Sequence, residues 1–83
     1  MKLSNIQRFI LSRLITNEYH LNEYRSAGYA YLLNIDTGNE IHIRCRTTKS
    51  LSNKGLIIYK YPLWVLTEKG KEIANQIRNN NAR

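Results

Sequence analysis

Near the start of the chain, apolar residues return at helical spacing: Ile6, Phe9, Ile10 and Leu14 share one side of a helix. Ser4 precedes them and Gln7 follows three residues later, the pattern of a capping box in which the two side chains satisfy backbone N–H groups at a helix start. A helix is predicted over about residues 5–16, with Gln7, Arg8 and Ser12 on its wet side. Residues 17–28 show no period and read as a loop or irregular turn. Tyr29 to Ile35 is a β-favouring run, Asp36-Thr37-Gly38-Asn39 supplies turn chemistry, and Ile41 and Ile43 then alternate with Glu40, His42 and Arg44. This is a β-hairpin over residues 29–44, with Ile41 and Ile43 inward.

From Cys45 to Lys54 the apolar side thins to Cys45, Thr48 and Leu51, and Gly55 stands where a helix ends in a left-handed residue. A short second helix is predicted, its polar stripe made of Arg46, Lys49, Ser50 and Asn53 at i, i+3, i+4 and i+7. Leu56 to Tyr59 and Leu63 to Leu66 read as two short strands around a Lys60-Tyr61-Pro62 turn. Thr67 caps the last helix, whose inner side carries Gly70, Ile73, Ala74 and Ile77. The pattern predicts one α+β domain over residues 1–79, in the order helix, hairpin, helix, hairpin, helix, with a frayed tail over residues 80–83. Its expected core is Phe9, Ile10, Leu14, Leu33, Ile43, Leu51, Leu56, Ile58, Trp64, Leu66, Ile73 and Ile77.

Charge changes this picture more than length does. The 83 residues carry a net charge of +7, and all of it lies in the second half. Residues 1–40 hold four cations and four acids, whereas residues 41–83 hold nine cations and two acids. Between Arg44 and Lys54 stand four cations and no acid, the footprint of a polyanion partner. The single Cys45 with two histidines excludes a structural disulfide and falls short of a four-ligand zinc site. Cys45 has no base and orienting group beside it in the sequence, and no pair of carboxylates is set for acid–base work, so no enzyme, cofactor or small-molecule ligand is expected. No apolar run approaches a membrane span and the N-terminus lacks an apolar signal core, so a cytoplasmic chain is expected. Tyr29 and Tyr31, two apart on a strand, match the spacing of a base-stacking platform, but a thin core needs such rings and they are assigned to it.

The stretch over residues 46–74 resembles the second half of winged helix-turn-helix domains. A recognition helix there ends in Leu-x-x-x-Gly-Leu, here Leu51, Gly55 and Leu56, and Leu-Thr-x-x-Gly opens the last helix, here Leu66, Thr67 and Gly70. The resemblance implies a compact winged-helix variant whose second helix enters the major groove of double-stranded DNA. It assigns Arg46, Lys49, Ser50 and Asn53 to the exposed face of that helix; of these Arg46, Lys49 and Asn53 are expected to read bases, and Arg44, Lys54 and Lys60 to touch phosphates. Two departures stand out: a hairpin occupies the place of the helix that usually precedes the recognition helix, and the wing is reduced to Lys60, Tyr61 and Pro62. Two roles are therefore expected of different kinds. One is a small DNA-binding protein, of the transcriptional-regulator type, needing a homodimer or partner for specificity; the other is a phage- or plasmid-type module that uses the same scaffold to bind a host protein.

Overall fold

A computed structural model describes residues 2–24 and 28–81. The elements are α1 (Asn5–Leu14), β1 (Tyr19–Tyr24), β2 (Tyr29–Asn34), β3 (Glu40–Arg44), α2 (Cys45–Asn53), β4 (Ile57–Lys60), β5 (Leu63–Leu66) and α3 (Glu68–Asn81). The α+β class and the order of helix, hairpin, helix, hairpin, helix follow the sequence pattern. The difference lies in β1. Residues 19–24, expected as loop, form a strand that pairs with β2 along its whole length and with β5 at Leu21 and Asn22. That strand joins the two hairpins into one antiparallel sheet of order β3-β2-β1-β5-β4.

Directly paired residues share a face of a sheet, so the register sorts every strand. Leu21, Ala30, Leu32, Ile43 and Ile57 point to the side covered by the helices, where they close a single core with Ile10, Leu11, Leu51, Leu56, Ala74 and Ile77. Of the expected core, Ile10, Ile43, Leu51, Leu56 and Ile77 are buried, and Phe9, Leu14, Trp64, Leu66 and Ile73 pack partly buried against them. Two strand phases are corrected. In β2 the inward residues are Ala30 and Leu32, so Leu33 turns to the other face with Tyr29 and Tyr31; in β4 Ile57 is inward and Ile58 is 49% exposed. Ile41, on the helix side but at the sheet edge, remains 38% exposed.

The helix ends are built as the local sequence requires. Ser4 and Gln7 form both hydrogen bonds of the capping box. The face of α1 is rotated from the expected one, however: Gln7 and Ser12 are buried and Ile6 is exposed. Gln7 is tolerated inside because both ends of its amide are hydrogen-bonded, with Oε1 accepting from Ser4 N–H and Nε2 donating to Ser50 Oγ at 2.9 Å. Ser12 is covered by α3, where Arg78 Nη1 donates to its carbonyl at 3.1 Å. Helix α3 runs through Asn81, past the expected limit at residue 79, and the expected frayed residues 82 and 83 lie outside the described residues.

Candidate nucleic-acid interface

Helix α2 sits between β3 and β4 and is closed by a Schellman motif. Leu56 N–H donates to Leu51 O at 3.1 Å, Gly55 N–H to Ser52 O at 2.9 Å, and Gly55 takes φ +75°, the left-handed conformation expected of it. The next two residues are then clamped by the start of α3. Thr67 N–H donates to Leu56 O at 3.1 Å, Thr67 Oγ1 donates to Gly55 O at 2.6 Å, and Gly70 N–H donates to Thr67 Oγ1 at 3.0 Å. Gly70 lies so close to the Leu56 carbonyl that a Cβ there would overlap its oxygen. The sequence strings Leu51-x-x-x-Gly55-Leu56 and Leu66-Thr67-x-x-Gly70 are thus two halves of one backbone junction. It fixes α2 against β4 and α3.

With Thr48 and Leu51 fully inward, the opposite side of α2 is set by periodicity alone. Arg46, Lys49 and Asn53 are exposed, and with Ser50 and Lys54 they line one open depression of about 520 Å³. Ser50 is committed within it: half-buried, its hydroxyl accepts from Gln7 and, at 2.8 Å, from Lys54 Nζ. This links α1, α2 and the Lys54 ammonium in one chain of contacts. Gln7 is the residue that sequence reasoning missed as a support for this surface; its capping role was readable, its second partner 43 residues away was not. No acidic residue occurs in α2, and no side chain caps its first turn. Arg46, Lys49 and Lys54 form no ion pair among the described residues.

The other two singled-out cations lie elsewhere. Arg44 is the last residue of β3 and pairs with Tyr29, which puts it on the sheet face away from the helices, beside the Tyr29–His42 ring contact of 4.6 Å. Lys60 ends β4, at the opposite edge of the sheet, and borders a second depression of about 660 Å³ with His20, Leu63 and Trp64. Four interstrand spacings of about 4.8 Å separate the two edges, roughly 19 Å. The β4–β5 hairpin is also held down: β5 is hydrogen-bonded into β1, leaving a Tyr61-Pro62 turn, joined by a cis peptide, with Tyr61 87% exposed.

The Cys45 thiol at the start of α2 is pushed above the usual thiol range, first by burial and then by the negative charge of Glu23. It is a poor nucleophile at neutral pH. Among the described residues, no three of His, Cys, Asp and Glu come together as a metal site, and no helix is long and apolar enough to cross a membrane. Comparison of the chain with known families, with characterised proteins and with solved structures returns no match.

Proposed function

We propose that the chain is a small cytoplasmic DNA-binding protein, a binding module and not an enzyme, that lays α2 against double-stranded DNA. The observation that carries this reading is the stripe of Arg46, Lys49 and Asn53, exposed on one side of a helix that contains no acid, with Lys54 at its end. A helix about 10–12 Å across with its side chains fits a major groove about 12 Å wide, and the nine residues of α2 offer about 13.5 Å of length to lie in it. Arg46 and Asn53 carry the forked donors and the amide that read guanine and adenine edges, while Lys49 and Lys54 suit phosphates. The uncapped first turn of α2 adds its partial positive charge to theirs.

In this reading the winged-helix resemblance supplies the docking helix and its rigid support, and a regulatory role follows from DNA occupancy. Arg44 and Lys60 are left out of the contact, because they sit on another face and another edge from the α2 stripe. The test is an anisotropy titration of labelled duplex DNA with the wild type and with the double variant Arg46→Ala/Lys49→Ala. A loss of affinity of tenfold or more in a variant that keeps the wild-type melting temperature supports the reading. Equal binding by the two proteins refutes it, and absence of any duplex binding by the wild type at low salt transfers the surface to a protein partner.

A further inference from the structure

The two edges of the sheet differ in a way that bears on assembly. Edge strands are commonly kept apart by charge, and β4, whose one charge is Lys60, is an edge of that kind. Strand β3 reads Glu40-Ile41-His42-Ile43-Arg44, with opposite charges placed symmetrically about His42. Glu40 and Arg44 are both exposed, both lie on the face away from the helices, and neither has an ion-pair or hydrogen-bond partner among the described residues. Asn34 N–H donates to Asn39 O at 2.9 Å, so by the alternation of an antiparallel ladder Ile41 and Ile43 direct their backbone groups to β2. The amide and carbonyl groups of Glu40 and His42 and the Arg44 amide therefore face outward from the edge, while the Arg44 carbonyl, at the N-cap of α2, is turned into that helix.

We propose that the protein pairs with a second copy of itself through β3, antiparallel and centred on His42, so that the sheet runs on from one chain into the other. A two-fold axis through His42 sets Glu40 opposite the partner's Arg44 and Arg44 opposite the partner's Glu40, two cross-strand ion pairs made by one self-complementary strand. The same register sets Ile41, 38% exposed in the single chain, against the partner's Ile43. No other register brings opposite charges together at both ends of the strand. Each α2 follows directly from its β3, so the axis also relates the two α2 helices, and Arg44 is used by the pair while the α2 stripe stays open. The inference does not rest on DNA binding, and its measurement contains no nucleic acid.

Sedimentation velocity over a dilution series tests it. The wild type is expected to approach twice the monomer mass as concentration rises. Glu40→Arg and Arg44→Glu, each of which sets like charges opposite one another twice, are expected to weaken association by about tenfold or more. Mixing the two single variants is expected to restore it as a heterodimer, because one chain then carries only cations and the other only anions at these positions. Amide hydrogen exchange of the wild type, which needs no variant, is expected to protect His42 and Arg44, whose N–H groups meet the partner's His42 and Glu40 carbonyls, at high concentration and to release them on dilution. A wild type that is monomeric throughout, single variants that associate as the wild type does, a mixture of folded single variants that stays monomeric, or a dimer whose His42 and Arg44 amides exchange freely would each overturn the proposal.

Discussion

Gly70→Ala is the substitution whose sign separates this account from simple helix propensity. Gly70 is in the first turn of α3, and on propensity alone an alanine there adds at most about 1 kcal/mol of stability. The added methyl would overlap the Leu56 carbonyl oxygen and stand 2.9 Å from its carbonyl carbon, both of them backbone atoms held by the Schellman turn. Relief requires α3 and β4 to part. That strains the Thr67-to-Leu56 hydrogen bond, worth about 1 kcal/mol, and adds an overpacking cost of about 1–3 kcal/mol. The net expectation is a loss of about 1–3 kcal/mol from a domain whose total is about 4–12 kcal/mol at roughly 0.05–0.15 kcal/mol per residue. For this size of domain that lowers the melting temperature by roughly 5–20 °C, read by far-UV circular dichroism and checked by urea unfolding. A variant that melts at or above the wild-type temperature would refute the clamp between Thr67, Gly70 and the Gly55-Leu56 backbone.

Gln7→Ala removes both the partner of the Ser4 amide and the donor to Ser50, and is expected to cost about 1–2 kcal/mol in urea unfolding, more than an exposed helical glutamine would. Cys45 gives a pH signature: with its pKa above the ordinary thiol range in the fold, the neutral thiol favours the native state, so its contribution is level below the unfolded thiol pKa of about 8.5 and declines as pH rises through and beyond it. Wild-type stability is accordingly expected to fall more steeply than that of Cys45→Ala over the alkaline range, with the two curves parallel near neutral pH.

What could be read from the sequence is what short stretches of backbone decide. The capping box at Ser4, the left-handed Gly55, the Thr67 cap and the Thr48–Leu51 side of α2 each depend on residues within a turn of one another, and each stands as expected. Strand β1 is hard to read because a central strand needs little of its own: among its described side chains Leu21 alone is fully buried, and its ladders come from β2 and β5. The phase of β2 is hard to read because ring size draws Tyr29 and Tyr31 to the core side, whereas the positions facing the helices hold Ala30 and Leu32; Tyr31 is buried as expected, but on the opposite face of the sheet. In β4 the run Leu56-Ile57-Ile58 has no alternation to read, and the junction with α3 decides which residue turns in. On α2 the candidate stripe was legible since one helix carries it. That Arg44 and Lys60 stand apart from it follows from the sheet order, which cannot be had without β1.

The central claim is that the α2 cations meet phosphates, and the dependence of duplex DNA affinity on salt tests it most directly. Two phosphate contacts, from Lys49 and Lys54, predict a slope of log affinity against log salt of about −1.8, since each neutralised phosphate contributes about −0.9. Lys49→Ala is expected to reduce the magnitude of that slope by about one while the fold stays intact, because the side chain is exposed and carries no packing. A wild-type slope near zero, or a Lys49→Ala slope equal to the wild type's, would contradict the assignment of α2 as the DNA-contacting helix.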